Sequence, residues 1–460
     1  MPDVFRYVNG SLHAEGIDLH ALAARAGTPL YVYSAAAMRD AFDRFAAAFA
    51  DLRPLLCYAL KASGNIHLCR LLAARGAGMD VVSGGELERA WLSGTPMHRV
   101  VFAGVGKTEP EIRAALDGHA SPLRAVATDP SGEGPDRRGP VGLFNVESEE
   151  EFLRIARLAR ELGVVAEACL RVNPDVDAKT HKFTTTGRSE NKFGVDIARA
   201  RDFFEAHGRD SHLRLRGIHV HLGSPIASPA PYVEALGPVL ALIDDLARRG
   251  LPIATLNLGG GYGVDYGQHG DDDRPASIEA FAAAIVPLLA GRVRAGLRIV
   301  MEPGRAIVAD AGLLLSRVQY VKPGRERTFI IGDAGMHTLL RPALYGAYHF
   351  IWPVRVAPAF APASRAERQP MPGLVSSDVV GPICESSDFL AQRRDLPPVR
   401  SGDLLAVFGA GAYGMSMGST YNDHPRPAEV LVDGDRATLI RPRQDLRALI
   451  EPELTTPPPI

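Results

Sequence analysis

Before about residue 310, short apolar runs alternate with helical patterns along the chain. The helical patterns, such as residues 232–249 and 277–290, carry apolar residues three and four positions apart, which is typical of amphipathic helices. The apolar runs lie at residues 55–60, 78–82, 99–103, 141–145, 165–172, 214–221, 254–258 and 297–302. Eight strand-then-helix units predict a (β/α)8 barrel, and a doubly wound parallel sheet is the competing α/β arrangement.

The helical period fades after about residue 310, and short strands punctuated by glycine and proline follow. They are predicted at residues 313–321, 327–332, 375–380, 403–408, 427–433 and 436–441. Further β-like pieces occur before residue 36, and chain ends often lie close together. The expected fold class is therefore α/β, with a barrel domain at residues 36–308 and a mainly β domain formed by residues 1–35 and 309–460.

Two stretches interrupt this pattern. Residues 118–140 are rich in glycine, proline and charge, and residues 353–373 are rich in proline, alanine and arginine. Such compositions are typical of surface loops, so we expect both to be surface insertions.

Composition narrows the possible functions. The 460 residues are 46% hydrophobic and 23% charged, and the formal net charge is −2, so no overall field favours nucleic acid or anionic membranes. The chain begins without the basic-then-apolar order of a signal peptide and holds no apolar run long enough to span a bilayer. Its four cysteines are scattered and lack metal-ligand spacing, which favours a reducing cytoplasm and no metal site.

Chemistry in a barrel belongs at the carboxyl ends of its strands. The first run ends at Lys61, the second carries Asp80, the sixth ends at His221 and the eighth at Glu302. An amine at the mouth of an apolar strand is poorly solvated, and this favours the neutral nucleophile. An ordinary surface lysine after a strand is the alternative interpretation of Lys61.

Glycine-rich turns follow the last two runs. Gly259, Gly260 and Gly261 let backbone N–H groups approach an anion, and Gly304 with Arg305 adds a fixed positive charge. A single glycine-rich turn of this kind is more often a plain tight turn of the backbone than an anion-binding site. Two of them at adjacent strand ends indicate a phosphate site, which barrels often place there.

A lysine, a phosphate site, a histidine and a buried carboxylate together suit pyridoxal 5′-phosphate (PLP). Lys61 can form the Schiff base, Glu302 can pair with the pyridine nitrogen, and His221 can lie against the ring. A satisfied core histidine is the alternative for His221. We expect only one of His219 and His221 to face the ligand.

The chain resembles the alanine-racemase-type PLP enzymes of fold type III and, among them, the diaminopimelate decarboxylase family. The resemblance covers nearly the whole length and includes Tyr58-Ala59-Leu60-Lys61-Ala62 and Glu302-Pro303-Gly304-Arg305. Its other motifs occur in the expected order at residues 80–87, 102–107, 171–175, 180–181, 191–194, 221–224, 341–345, 384–386 and 411–413.

The resemblance implies a barrel joined to a β domain and a head-to-tail homodimer with shared active sites. It assigns catalysis to Lys61 as the Schiff-base lysine, Cys384 as the proton donor, and His221. The cofactor-binding residues that it implies are Lys61, Asp80, His221, Ser224, Gly260, Gly261, Glu302, Pro303, Gly304, Arg305 and Tyr413. The substrate-binding residues that it implies are Arg305, Arg341, Tyr345, Glu385 and Tyr413, with Cys384 and Glu385 entering the neighbouring subunit's site.

The implied reaction is PLP-dependent decarboxylation of meso-2,6-diaminopimelate to L-lysine and CO2, the last step of lysine biosynthesis. Paired arginines suit a dicarboxylic substrate, and a cysteine beside a carboxylate is a plausible acid. A small buried hydrophobe is the alternative for Cys384. Related decarboxylases of D-ornithine, D-lysine, carboxynorspermidine or a carrier-tethered amino acid remain open, as does a non-catalytic regulatory homologue.

Some positions depart from the family pattern. Ser63 stands where asparagine is usual, Pro225 where glutamine is common, and Ser387 where glycine is common. Gly335-Met336-His337-Thr338 replaces a Met-Asn-Asp sequence close to Arg341. None of these changes removes a chemical group that the reaction needs, but the last lies near the substrate end of the expected site.

Overall fold

The computed structural model describes residues 4–117, 139–176, 192–267, 274–360, 362 and 371–454. Residues 118–138 of the first expected insertion, residues 361 and 363–370 of the second, and motif residues 180, 181 and 191 lie outside these ranges. The chain forms two compact units. A barrel unit comprises Ala41–Val264 and Pro275–Ala306, and a β-rich unit comprises Met1–Asp40, Asp265–Arg274 and Ile307–Ile460.

In its described residues, the barrel unit contains nine strands and most of the helices. Its strands are β5 (Leu55–Ala59), β6 (Gly78–Val81), β7 (Val100–Phe102), β8 (Leu143–Val146), β9 (Ala166–Asn173), β10 (Val195–Asp196), β11 (Leu213–His219), β12 (Thr255–Asn257) and β13 (Arg298–Met301). Its helices are α3 (Ile66–Ala73), α4 (Gly84–Leu92), α5 (Glu109–Asp117), α6 (Glu149–Leu162), α7 (Ile197–His207), α8 (Ala230–Arg248) and α9 (Ile278–Arg294). Helix α2 (Ala35–Ala48) and helix α10 (Arg305–Val308) lie at the two unit boundaries.

Eight of these strands pair in parallel and close into a barrel. The order is β5, β6, β7, β8, β9, β11, β12 and β13, and β13 pairs with β5 again. Strand β10 adds a short parallel pairing beside β9. All eight predicted strand runs are present, so the predicted barrel is confirmed. The doubly wound alternative is wrong because the sheet closes and has no two free edges.

The helices begin and end where their local chemistry requires it. In α6, the Ser148 side chain accepts from the Glu151 N–H at 3.3 Å and so satisfies one free donor of the first turn. Gly163 ends the helix in the left-handed conformation, with φ of 67°. The apolar stripe of α6 is buried and holds the helix against the barrel.

The barrel interior changes from apolar to polar along its strands. A buried apolar cluster fills the barrel below the carboxyl ends of its strands. It consists of Cys57, Val101, Leu143, Cys169 and Val300. Inward-facing positions recur every second residue, so the next position after Val300 is Glu302 and the next after Leu143 is Asn145. This alternation places polar groups at the carboxyl ends of the strands.

The described part of the β-rich unit forms two sheets. Its strands are β1 (Phe5–Val8), β2 (Ser11–Ala14), β3 (Ile17–Asp18), β4 (Leu30–Ser34), β14 (Gly312–Pro323), β15 (Thr328–Gly332), β16 (Ile351–Pro353), β17 (Val375–Val380), β18 (Phe389–Leu396), β19 (Leu404–Val407), β20 (Ala428–Asp433) and β21 (Arg436–Arg441). Its helices are α1 (Leu19–Ala26), α11 (Arg341–Tyr345) and α12 (Leu446–Leu454). Strands β1 to β3 form the small sheet, and the others form the larger one.

The amino-terminal segment contributes to the larger sheet, as predicted. Strand β4 pairs antiparallel with β14 and parallel with β20. Strands β16 and β18 were not predicted. The expected surface insertion at residues 353–373 begins at Pro353, the last residue of β16, and includes the buried Val354, so its first two residues do not belong to a surface loop. Among the described residues, no helix combines the length and apolar character that a membrane crossing requires.

Candidate active site

Lys61 lies in a short 3-10 turn directly after β5, beside the end of β6. Its Nζ atom is 2.7 Å from Asp80 Oδ2, and Asp80 is fully buried. Burial and the neighbouring Glu302 raise the pKa of Asp80 to about 6, although the Lys61 charge opposes them. The alternative of an ordinary surface lysine does not fit an amine that pairs with a fully buried carboxylate.

Glu302 follows β13 and is held by two amides. Asn145 Nδ2 and Asn257 Nδ2 donate to Glu302 Oε1 at 2.8 and 2.6 Å. His219 Nε2 lies 3.4 Å from the other carboxylate oxygen, Oε2. Burial alone raises the pKa of Glu302, but His219, Lys61 and Asn257 outweigh it and hold the pKa well below its usual range. The site therefore contains a buried carboxylate that stays ionised.

His219 and His221 both reach this site, so the expectation that only one of them does is wrong. His221 Nδ1 accepts the Gly260 N–H at 3.1 Å, while His219 lies against Glu302. Residues two positions apart on a strand point to the same face, which explains the correction. Burial, with the nearby cations Arg171 and Lys61, lowers the pKa of His221 well below its usual value, so its ring is neutral.

The glycine turn after β12 is closely packed. A Cβ atom on Gly260 would meet the Glu302 carbonyl oxygen at 2.1 Å, and Gly261 has a φ of 108°. The backbone of the turn also joins the last strand, because the Glu302 N–H donates to the Gly259 carbonyl at 2.8 Å. Pro303 accepts from the Ala59 N–H at 3.1 Å. These contacts fix the turn beside Glu302 and the strand that leads to Lys61.

Ser224 and Arg305 form the adjoining corner of the site. Arg305 Nε donates to Ser224 Oγ at 3.1 Å, and the arginine is nearly buried. Gly304 lets the chain pass close to β5, since a Cβ atom there would lie 3.0 Å from that of Ala59. A hydroxyl, a guanidinium and a glycine turn are the groups that bind a phosphate monoester.

The barrel residues fit PLP. Lys61 supplies an amine, the turn with Ser224 and Arg305 supplies anion-binding groups, and Glu302 supplies an ionised carboxylate. The second oxygen of Asp80, Oδ1, is buried and has no hydrogen-bond partner among the described residues. A buried oxygen without a hydrogen-bond partner costs folding free energy in a packed core. Such oxygens are typical of sites that bind another polar group.

Arg341 and Tyr345 belong to a second group of candidates, in the β-rich unit. Both lie on helix α11. The Arg341 guanidinium is buried, lies 4.6 Å from the centre of the Tyr266 ring, and has Nη1 2.9 Å from His349 Nε2. An arginine that is fixed by stacking and by an imidazole is well placed to bind a carboxylate.

Cys384 and Glu385 lie between β17 and β18. Cys384 is exposed, so the alternative of a small buried hydrophobe is wrong. Its N–H donates to Asn422 Oδ1 at 3.1 Å. Glu385 accepts hydrogen bonds from the Tyr421 hydroxyl and from Ser387 Oγ, and these donors lower its pKa. Tyr413 lies in the loop after β19 with a φ of 57°, a conformation uncommon for a non-glycine residue.

The unusual His337 packs within the β-rich unit. Its buried ring lies 4.8 Å from that of His424, and burial, followed by the effect of His424, lowers the pKa of His337 to about 4. The preceding Met336 N–H donates to Asp388 Oδ1 at 2.6 Å. The departure from the family pattern thus fastens this segment to the loop that carries Cys384.

Sequence reasoning did not single out Asn145, Asn257 or Tyr421 as site residues. The two asparagines could have been found, because each lies two positions along its strand from an inward-facing residue. Tyr421 gave no such signal, since it lies in a loop 36 positions from Glu385.

A cavity of about 360 Å³ opens at the opposite end of the barrel. Its walls are largely aliphatic and include Leu55, Val101 and Val300. No candidate residue lines this cavity, so it adds nothing to the chemistry at the carboxyl ends of the strands.

Comparisons with known proteins agree with this geometry. The family model for the pyridoxal-dependent decarboxylase, pyridoxal binding domain, matches residues 35–309. The diaminopimelate decarboxylase of Pseudomonas aeruginosa is 43% identical over 457 residues, which cover 99% of this chain and 100% of the relative. That of Aquifex aeolicus is 42% identical over 448 residues and covers 97% of both chains.

Solved structures show the same similarity. The structure of diaminopimelate decarboxylase from Helicobacter pylori, complexed with L-lysine, has a TM-score of 0.81 and 35% sequence identity. The matched region covers 95% of this chain and 99% of the other.

Proposed function

We propose that this chain converts meso-2,6-diaminopimelate into L-lysine and CO2. The chain belongs to the diaminopimelate decarboxylases of the pyridoxal-dependent decarboxylase family, which is the reason for this proposal. This reaction is the last step of lysine biosynthesis, and the chain is a PLP-dependent carboxy-lyase. The observation that carries the proposal is the group of Lys61, Asp80 and Glu302 at three adjacent strand ends. That group suits an amine-anchored cofactor with a basic ring nitrogen.

Different barrel residues would bind different parts of the cofactor. Lys61 would hold the aldehyde end, Glu302 the ring nitrogen, and His221 the ring face. Gly260, Gly261, Pro303 and Gly304, with Ser224 and Arg305, would surround the phosphate. When bound, PLP withdraws electrons from the carbon that loses CO2. Glu302 supports this because an ionised carboxylate favours a protonated ring nitrogen, and its low pKa keeps it ionised.

Asp80 would keep the Lys61 amine in place. It lies 2.7 Å from Lys61 Nζ and is fully buried, so it can hold the ammonium when the amine is released from the cofactor. A carboxyl whose pKa is about 6 can also take up a proton near neutral pH. Asp80 would therefore position the amine and buffer its charge.

The candidates in the β-rich unit would bind the far end of the substrate. Arg341, with Arg305 and Tyr345, would bind the distal carboxylate, and Glu385 the distal ammonium. Guanidinium groups bind carboxylates through two parallel hydrogen bonds, and a carboxylate suits an ammonium. Tyr413 would contact both cofactor and substrate. Cys384 would deliver the proton that replaces CO2, and its exposure supports this role.

We further propose a homodimer in which Cys384 and Glu385 serve the neighbouring subunit. Their exposure supports this, because a partner can reach them. We propose a cytoplasmic location. We also propose domain boundaries at residues 36 and 308, which lie close to the ends of the compact units at Asp40 and Ala306, although Asp265–Arg274 belongs to the β-rich unit.

The direct test is the stoichiometry of the reaction. Purified protein loaded with PLP is incubated with meso-2,6-diaminopimelate, and CO2 and L-lysine are measured over time. We expect equal amounts of both products, and no reaction from protein stripped of PLP. CO2 without L-lysine, or no CO2 from the loaded protein, would contradict the proposed function.

A further inference from the structure

Two asparagines surround Glu302 at the carboxyl end of the barrel. Asn145 lies near the carboxyl end of β8, and Asn257 is the last residue of β12. Both side chains are fully buried. Both direct their Nδ2 groups to the same oxygen of Glu302, Oε1. The other oxygen, Oε2, lies 3.4 Å from His219 Nε2. One carboxylate oxygen is thus bound by two neutral amides, and the other faces an imidazole.

The orientation of the Asn257 amide is fixed by its second contact. Its Oδ1 accepts the Gly259 N–H at 2.9 Å, and a backbone N–H can only donate. The Nδ2 group must therefore point to Glu302. The Asn257 side chain therefore binds both the Glu302 carboxylate and Gly259, the first glycine of the turn that ends at Gly261.

Neutral donors suit this position better than cationic ones. An amide stabilises an ionised carboxylate and leaves its charge intact. A lysine or arginine in the same place would pair with Glu302 and compete with a protonated ring nitrogen for it. The two asparagines therefore keep Glu302 both ionised and available.

Asn145 is itself held by a buried ion pair. The backbone carbonyl oxygen of Asn145 accepts a hydrogen bond from Lys107 Nζ at 2.9 Å, and Lys107 forms an ion pair with Glu151 at 2.5 Å. The Lys107 side chain has no exposure to solvent. This contact fixes the backbone at the end of β8 from which the Asn145 side chain extends.

We propose that Asn145 and Asn257 are positioning residues, which hold Glu302 as an anion for the cofactor ring, and that Asn257 also couples this carboxylate to the phosphate turn. The proposal rests on the proposed function, since it assigns the ring nitrogen of PLP to Glu302.

Three variants separate the two roles of these side chains. Asn257→Asp keeps the acceptor for the Gly259 N–H but replaces the donor to Glu302 with a negative charge. Asn257→Leu removes the contacts to both Glu302 and Gly259. Asn145→Leu removes a donor to Glu302 and the acceptor of a weaker 3.4 Å contact from Asn257 Nδ2. Thr95→Val is the control, because Thr95 is a buried residue of the same unit whose hydroxyl bonds Ser93 far from the site.

The first readout is PLP binding to the cofactor-free protein, measured by fluorescence quenching. Loss of one hydrogen bond to a charged group corresponds to about 10- to 100-fold in affinity. We expect that loss in Asn145→Leu and Asn257→Asp, a larger loss in Asn257→Leu, and wild-type affinity in Thr95→Val. The loss should grow as the pH falls, because an unsupported Glu302 is protonated more easily. Asp80, Lys61, His219 and His221 also face Glu302 and remain the same in all variants.

The second readout is turnover at saturating PLP. We expect kcat to fall while the KM for the substrate stays within about twofold of wild type, since the amides do not reach the substrate. PLP affinities within twofold of wild type would overturn the proposal. So would lower thermal stability with unchanged PLP affinity and pH dependence, which marks a purely structural role. If wild type and Thr95→Val also fail to bind PLP, the proposed function itself is wrong.

Discussion

Lys61, Asp80 and Glu302 lie at the carboxyl ends of three adjacent barrel strands and share one site. Their positions were predictable because each lies on or directly after an apolar run. The 2.7 Å pair between Lys61 and Asp80 was not predictable, since it depends on the register that places Ala59 opposite Asp80. The amides on Glu302 were missed, although the two-residue alternation along β8 and β12 could have indicated both asparagines.

Replacement of Lys61 tests the cofactor anchor. Lys61→Ala should lose the visible absorbance of protein-bound PLP, and activity should fall by roughly three or more orders of magnitude, because no other amine lies in the same position. Absorbance spectra and CO2 release measure these effects. Lys322→Ala, an exposed lysine on β14, is the control and should behave as wild type. A coloured, active Lys61→Ala protein would rule out this role.

Replacement of Cys384 tests the proton donor. Cys384→Ala should lower kcat about 10²- to 10⁴-fold, the usual contribution of general acid catalysis, with PLP still bound. Steady-state kinetics and the absorbance of bound PLP separate the two effects. Ser386→Ala, an exposed residue of the same loop, should retain activity. Full activity in Cys384→Ala would make the cysteine dispensable.

The raised pKa of Asp80 predicts a pH effect on stability. A carboxyl whose pKa rises from 3.8 unfolded to about 6 folded binds its proton more tightly in the native state, so stability falls as pH rises from about 4 to about 6. Asp80→Asn removes this fall, worth up to about 3 kcal/mol. Its free energy of unfolding, relative to wild type, should therefore increase over that window in the cofactor-free protein.

Urea unfolding at several pH values measures this difference. Asp202→Asn, an exposed carboxylate on helix α7, is the control and should follow the wild-type pH dependence. A wild-type-like pH profile in Asp80→Asn would contradict the burial-driven shift.

At the scale of elements, the repeated apolar runs carried enough information to place all eight barrel strands. Their ends differ from the prediction by one or two residues, because hydrogen bonding and not hydropathy sets them. Strand β18 was missed because Gln392, Arg393 and Arg394 break its apolar pattern. Strand β16 was missed because it has only three residues and ends in proline.

The glycine turn after β12 gives a test at this scale. Gly260→Ala places a methyl group 2.1 Å from a backbone oxygen of the next strand end, so the turn must shift. We expect a loss of about 1–3 kcal/mol in stability and weaker PLP binding. Thermal unfolding and PLP titration measure both.

Helix α8 supplies the matched glycine control. A Cβ atom on Gly237 meets nothing within 4 Å, so Gly237→Ala should stabilise the protein by about 0.5–1 kcal/mol. Equal behaviour of the two variants would show that the turn tolerates a side chain.

At the scale of the whole molecule, the sequence predicted a barrel and a β-rich part to which the amino terminus contributes. The pairing of β4 between β14 and β20 explains this contribution. Chain composition alone could not give it, because it depends on pairing across about 280 to 400 positions. The dimer remains a proposal, and its shared sites are open to a mixing experiment.

Mixing inactive variants tests the shared site. In a dimer, Lys61→Ala and Cys384→Ala subunits together form one intact site when Cys384 serves the partner. After equal mixing and subunit exchange, half of the dimers are mixed and half of their sites are intact, so about one quarter of wild-type activity should return. CO2 release before and after exchange measures it. No recovery, despite demonstrated exchange, would place both residues in one subunit's site.

The most direct test of the central claim compares meso-2,6-diaminopimelate with D-lysine, which lacks the second carboxylate. Because we propose that Arg305 and Arg341 bind this carboxylate, D-lysine would lose the charge-assisted hydrogen bonds that their guanidinium groups would make to it. We predict a kcat/KM for CO2 release at least about 10²-fold higher for meso-2,6-diaminopimelate. An equal or higher kcat/KM for D-lysine would contradict the assignment of this enzyme as a diaminopimelate decarboxylase.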